Sequence, residues 1–294
     1  MTTIGFIGLG HMGQPMVSNL LKAGFKVHVF DVVSSTVDAL SKAGAVPQTS
    51  IAAVAEHADV LITMVQTGQQ VKDIFLGTDG LFSHLKPNNL YIDCSSIDIN
   101  TTRVVHDEAA KRQTAMLDAP VSGGVAGAKA ATLTIMVGGS EENFLRAQPI
   151  LKALGKKIVH AGSAGSGQAA KICNNLLLGI SMVGVCEAFS LAAKLGLDAK
   201  KFFEISSNSS GQCWSMTSYC PVPGIVPEAP SNHDYQAGFM AKMMLKDLRL
   251  AQHAAETADA MIPLGAIAAE LYELFVNEGN AETDFSGIIK LIGG

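Results

Sequence analysis

The segment that most narrows what this chain can fold into is its first 31 residues. Thr3-Ile4-Gly5-Phe6-Ile7-Gly8 reads as a strand that runs straight into Gly8-Leu9-Gly10-His11-Met12-Gly13. A helical pattern follows from about His11 to Ala23 and stops at Gly24, and a second strand, Lys26-Val27-His28-Val29-Phe30, ends on Asp31. GxGxxG alone is a weak motif, but its placement between a strand and a helix, with an acid closing the next strand, is specific. Gly8 permits the tight turn, Gly10 lets backbone approach a pyrophosphate, and Gly13 allows the helix to pack on the strand. The free N–H groups that open the helix face the phosphates. Asp31, 18 residues past Gly13, accepts the ribose hydroxyls and repels a 2′-phosphate, so NAD is expected over NADP. No arginine follows it, since Val32 and Val33 come next.

The alternation continues. Apolar runs at 60–65, 90–93, 116–118, 133–137 and 157–160 are separated by helical stretches. Strands spaced this way form βαβ units and a largely parallel sheet covered on both faces. After Gly162 the strand pattern disappears, and helical patterns run over 168–195, 198–206, 235–258 and 263–278, broken by a loop from Ser207 to Asp234. The expected division is therefore an α/β Rossmann-type domain over 1–163 and an all-α domain over 164–294. Length agrees, since 294 residues suit about two domains.

Composition excludes several function classes. Lys+Arg 21 against Asp+Glu 26 leaves a net charge of −5, with no basic excess to neutralise a nucleic-acid backbone. Mean hydropathy is +0.28, high enough to test for membrane spans. The apolar uncharged run Ile172–Cys186 contains Asn174 and Asn175 and is shorter than the roughly 20 residues a span needs. It reads as a helix buried on every face, and in so small a domain that points to burial against a second subunit. No secretory signal is read at the start, so no membrane partner and a cytoplasmic protein are expected, a processed organellar chain being the alternative. Five cysteines without a CxxC pair suit a reducing compartment, and eight scattered histidines give no metal spacing, so no metal is expected.

Glycine is enriched at 29 residues, and three groups of it matter. The first is the phosphate turn. Gly162, Gly165 and Gly167 precede a helix but have the spacing GxxGxG, which suits a turn joining the domains. Pro120-Val121-Ser122-Gly123-Gly124 follows a strand end, where open α/β sheets bind ligands. Spacing alone leaves it open between a carboxylate cradle and a flexible turn. Lys171 sits near the start of the long apolar helix, with Asn175 one turn later on the same face. It is either a proton-exchanging lysine or one that snorkels to solvent. Lys246-Asp247 lies on what reads as an ordinary amphipathic helix, with Lys246 solvated.

Together GLGHMGQPM at 8–16, DAPVSGG at 118–124, GQAAKICNN at 167–175 and KDLRLA at 246–251 resemble the β-hydroxyacid dehydrogenase family, in order and over the whole chain. The resemblance implies a 6-phosphogluconate dehydrogenase-like fold and NAD-dependent oxidation of a small 3-hydroxy acid. SSGQCWS at 209–215 and the loop at 220–235 are closest to the branch that converts 3-hydroxyisobutyrate to methylmalonate semialdehyde in valine breakdown. Tartronate semialdehyde reduction, or the activity of another family member, is the alternative, and a non-catalytic cofactor-binding module is a third reading that Lys171 argues against.

Residue by residue, the resemblance implies Lys171 as the general acid and base and Asn175 as its substrate-positioning partner. Ser122, Gly123 and Gly124 hold the substrate carboxylate, with Trp214 and Asp247 beside the substrate. Cofactor contacts are implied for Gly8, Leu9, Gly10, His11, Met12, Gly13, Asp31, Met64, Val65, Gln66, Gln70, Ser96, Phe239 and Lys246. Gln66 departs from the family's usual proline. Association through the long helix, as a homodimer or homotetramer, is implied as well.

Overall fold

The structure, a computed structural model, describes residues 2–84, 86 and 88–293. It divides into two compact units, Met1–Lys171 and Ile172–Gly294.

The first unit carries a sheet of nine strands among the described residues: β1 Thr3–Ile7, β2 Lys26–Phe30, β3 Val46–Pro47, β4 Val60–Thr63, β5 Leu90–Asp93, β6 Ala115–Asp118, β7 Val121–Ser122, β8 Leu133–Gly138 and β9 Gly155–Gly162. Their order is β3-β2-β1-β4-β5-β6-β8-β7, with β9 also on β8. From β3 to β6 every pairing is parallel. This is the doubly wound order, in which the chain leaves β1 in one direction and returns through β4 in the other. The expectation of a largely parallel sheet meets one exception, because β8 runs antiparallel to β6 and β7. Apolar runs of this length carry no direction, so the reversal leaves no trace in the residue pattern.

Side chains alternate between the sheet's faces. Ile4, Phe6, Val60, Ile62, Leu90, Ile92 and Leu117 join the core on one face. Ile7, Leu61, Tyr91 and Met116 join the core on the other. Both faces are dry, which is why these strands read as unbroken apolar runs. Burying each such large side chain stabilises by roughly 1.5–3 kcal/mol.

The helix Ser166–Lys194 spans 29 residues, begins in the first unit and continues into the second. Helices Ala199–Ser206, Trp214–Thr217, Ala241–Ala258, Pro263–Phe275 and Ile289–Ile292 follow. Asp198 caps the first of these through the Lys201 N–H, and Pro263 opens another at a position where no N–H is needed. The helix expected over 235–258 starts only at Ala241. Asp234 and Tyr235 have left-handed backbone, with φ of 51° and 55°, and Gln236 and Met240 bridge to Thr283 and Asp284 in antiparallel fashion. The expected 263–278 helix ends at Phe275 in a wide turn whose Gly279 has φ 93°.

The long helix bears on two expectations. Its uncharged run is short, but the helix is the one among the described residues long and apolar enough to cross a membrane by length and composition. Nor is it buried all round: 39% of that apolar window is buried. Leu177, Gly184 and Leu191 stand seven residues apart on one exposed face, with Leu177 64% exposed.

Candidate active site

At the carboxyl ends of β1 and β4 the backbone is drawn tight. Gly8 has φ +96°, and a Cβ there would lie 2.3 Å from the Met64 carbonyl oxygen. A Cβ on Gly13 would lie 2.0 Å from the Gly8 oxygen, so the third glycine lets helix Gly13–Lys22 sit against the turn. Gly10 is the opposite case, since a Cβ there would meet nothing within 4 Å. The turn is closed below and open where a pyrophosphate would approach. No side chain caps the helix and no acidic residue lies in its first turn, so the positive end of its dipole carries no carboxylate of its own first turn. Leu9 is buried, while Gly10 and His11 are exposed and Met12 half-buried. The residues present fit a dinucleotide.

Asp31 does more than the pattern predicts. Its Oδ2 accepts the Leu9 N–H at 2.5 Å and its Oδ1 accepts the Val33 N–H at 2.8 Å. An ionised carboxylate has about four acceptor positions, so two remain for ribose hydroxyls. Met64, Val65 and Gln66, expected to contact the cofactor, follow β4. Met64 N–H donates to Ile7 O, and Val65 N–H donates to Ser95 Oγ at 3.0 Å. Gln70 is committed to its own turn: its Oε1 accepts the N–H of Gln66 and of Thr67, in a capping box with Thr67. Ser96 is half-buried just past β5, next to Ser95.

Beyond β6, Ser122 ends β7, and Gly123 and Gly124 take φ of +133° and +62°. Both values lie in the region that favours glycine, and Gly123 is exposed. The second glycine group, 162–167, is a turn and not a phosphate loop. The N–H groups of Gly165 and Gln168 donate to the two oxygens of Asp118 at 2.8 and 3.0 Å, so the chain's own carboxylate fills the place an anion would take.

Lys171 is 8% exposed, which excludes the snorkelling reading. Asn175 is buried one turn later, and its Nδ2 donates to Asp247 Oδ2 while its Oδ1 accepts from Asn174. Asp247 is itself 4% exposed, and its Oδ1 lies 3.4 Å from Lys246 Nζ. The helix Ala241–Ala258 is therefore not ordinary at this point: a buried acid faces the amide of Asn175. Pattern alone had no means of separating this acid from the solvated charges around it.

Trp214 is half exposed and stacks on Tyr219, centroids 4.9 Å apart, which stacks on Phe285. Phe239 meets Phe285 edge-on at 5.6 Å. Buried Asp284 holds this wall: its Oδ2 accepts from Tyr219 Oη and from the N–H of Gly238 and Phe239. Burial raises the Asp284 carboxyl above the usual range, against the pull of its donors, and burial also pushes the Tyr219 phenol far up, so it stays a donor. At the ends of β5 and β6, Asp93 and Asp118 are likewise fully buried, and burial raises Asp93. Sequence reasoning passed over Asp93, Asp118, Gln168, Tyr219 and Asp284 as supporting residues; Asp118 and Gln168 lie inside the quoted motifs, but their hydrogen-bond partners are 47 to 73 positions away. Among the described residues no group of three or more metal-ligating side chains occurs.

The chain is similar to known proteins over its whole length. The NAD-binding domain of 6-phosphogluconate dehydrogenase matches residues 3–162. The family model described as the NAD-binding domain of NADP-dependent 3-hydroxyisobutyrate dehydrogenase matches 165–292. The chain is 48% identical to NAD-dependent L-serine dehydrogenase of Pseudomonas aeruginosa, over 99% of this chain and 98% of that one. It is 47% identical to the 3-hydroxyisobutyrate dehydrogenase of the same organism, over 100% and 99%. The solved structure of Mycobacterium tuberculosis 3-hydroxyisobutyrate dehydrogenase with L-serine superposes with a TM-score of 0.94 at 43% identity, covering both chains fully.

Proposed function

The chain belongs to the β-hydroxyacid dehydrogenases of the 3-hydroxyisobutyrate dehydrogenase type, and from that premise we propose that it oxidises 3-hydroxyisobutyrate to methylmalonate semialdehyde. The observation that carries the reading is the buried Lys171, one helical turn before an asparagine that is itself fixed by Asp247.

In this reading the substrate carboxylate is held by the Ser122 hydroxyl and the N–H groups of Gly123 and Gly124. Asn175 positions the primary alcohol, and Lys171 Nζ takes its proton. NAD, when bound, supplies the hydride acceptor. In the reverse direction protonated Lys171 polarises the aldehyde and returns the proton. The family resemblance assigns Lys246 and Ser96 to the cofactor, and Trp214 and Phe239 to the apolar wall. The protein's contribution is orientation and a proton-transfer partner, worth about 10²–10⁴-fold for the general base alone.

L-serine is the second reading, favoured by the relative that carries that name and by the M. tuberculosis structure, which was solved with L-serine. The two substrates share a CH₂OH group one carbon from a carboxylate and differ in a methyl against an ammonium. Following NADH formation with 3-hydroxyisobutyrate, L-serine, D-glycerate and 4-hydroxybutyrate tests the assignment. The highest kcat/KM is expected for 3-hydroxyisobutyrate, and a preference for serine or glycerate overturns it.

The exposed stripe of Leu177, Gly184 and Leu191, continued by Leu195, supports a homodimer or homotetramer built on the long helix. Exposed leucines repeated along one helix face are costly to leave in water. The domain limits 1–163 and 164–294 and a cytoplasmic setting belong to the same proposal.

A further inference from the structure

We propose that Gln168 is a positioning residue that fixes the Lys171 helix against the loop carrying Ser96. The proposal rests on the reading of Lys171 as the base and Ser96 as a nicotinamide-side contact. Its own basis is a closed set of buried hydrogen bonds within Met1–Lys171.

Gln168 has no exposed surface and stands three residues before Lys171 on the same helix. Its side-chain amide works in both senses. Nε2 donates to the Ser95 carbonyl oxygen at 2.7 Å, and Oε1 accepts the Ile97 N–H at 3.2 Å. The two contacts clasp the backbone on either side of Ser96. The loop is fixed from the other direction by Asp93, which accepts the Ser95 N–H at 3.1 Å, and by Ser95 Oγ, which accepts the Val65 N–H. The helix end is fixed by Asp118, which accepts the N–H of both Gly165 and Gln168. Gly167 seals the joint: a Cβ there would lie 2.4 Å from the Met136 oxygen and 2.7 Å from the Asp118 oxygen.

One amide thus ties the element bearing the proposed proton acceptor to the element proposed to bear on the nicotinamide. Proton and hydride leave the same carbinol group, so the two elements must keep register with each other, and a misplacement of about 1 Å costs roughly 100-fold in rate. Neither an apolar side chain nor a carboxylate reproduces a donor and an acceptor at once. A protonated carboxylic acid does, with its O–H toward Ser95 O and its C=O toward the Ile97 N–H.

That difference supplies the test. Gln168→Met, Gln168→Glu and Lys171→Ala are assayed as NAD-loaded enzymes with whichever of 3-hydroxyisobutyrate and L-serine the unaltered protein turns over. NADH affinity is measured by fluorescence. Gln168→Met is expected to lose roughly 10- to 100-fold in kcat at every pH, with NADH affinity and substrate KM within about twofold. In Gln168→Glu, burial and the nearby carboxylates of Asp93 and Asp118 favour the neutral acid, while His106, 3.1 Å from Asp118, and Lys171 oppose this. Its kcat relative to the unaltered enzyme is expected to be highest at the lowest pH and to fall as the introduced carboxyl ionises. A merely structural role moves KM and NADH affinity together and does not return with acid. If Gln168→Met keeps kcat within twofold, or the Gln168→Glu ratio is flat with pH, while Lys171→Ala is inactive, the positioning role is wrong and the base assignment survives. If Lys171→Ala turns over normally, the reading beneath the proposal fails, and the proposal with it.

Discussion

Asp31 accepts the backbone N–H of Leu9, so the acid that closes β2 also holds the glycine turn that follows β1. The proposed recognition of ribose and the shape of the glycine turn are thereby joined in one side chain. Asp31→Ala is expected to lose both functions. The NAD-over-NADP ratio of kcat/KM drops, and NAD affinity falls by roughly 10- to 100-fold, the equivalent of one hydrogen bond to a charged group at about 1.5–3 kcal/mol. Cofactor titration of the variant checks this. A preference for NADP in the unaltered enzyme contradicts the role given to Asp31.

Asn175 and Asp247 form a second joined pair, buried in the helical unit. Removing either partner leaves the other with an unmet buried group, at a cost of about 1–3 kcal/mol. Asn175→Ala and Asp247→Ala are each expected to lower kcat/KM by tenfold or more. The double variant is expected to lose much less than the product of the two, because the second change removes what the first already orphaned. Multiplicative losses in the double-mutant cycle argue that the pair does not act as one.

Tyr219 is placed to show what the Asp284 cluster contributes. Tyr219→Phe keeps the stack on Trp214 but removes the O–H that donates to Asp284 at 2.9 Å. A loss of roughly 1.5–3 kcal/mol in denaturant unfolding is expected for a hydrogen bond to a buried carboxylate. Unchanged stability contradicts an Asp284 that organises the wall.

The exposed helix face gives a prediction in solution. Light scattering is expected to return a mass two or four times that of the chain, and Leu191→Glu, which puts a charge on that face, is expected to lower it. A monomer at micromolar concentration contradicts the association.

How much of this was legible before the structure depends on how local the cause is. The strand–glycine–helix turn and Asp31 act within 31 residues, and a side chain at Gly8 or Gly13 would collide with the backbone of the turn. The strands were readable because both sheet faces are buried. The start of the helix at Ala241 was not, because Tyr235 is left-handed and the stretch up to Met240 is held by bridges and hydrogen bonds to Thr283 and Asp284, more than 40 positions later. Two-residue strands such as β3 are too short to show a period. Of the site, Lys171 and Asn175 were visible as an odd lysine and its helical neighbour. Asp247 came from resemblance, since in pattern it is one charge among several. Asp118 and Gln168 were overlooked because their task is defined by partners 47 to 73 positions away in the chain.

The claim everything else depends on is that Lys171 exchanges the proton. Steady-state turnover of Lys171→Ala, measured alongside NADH binding, tests it most directly. A fall in kcat of at least about 100-fold with NADH affinity essentially unchanged is the predicted result. Near-normal turnover by a variant that still binds the cofactor contradicts the account.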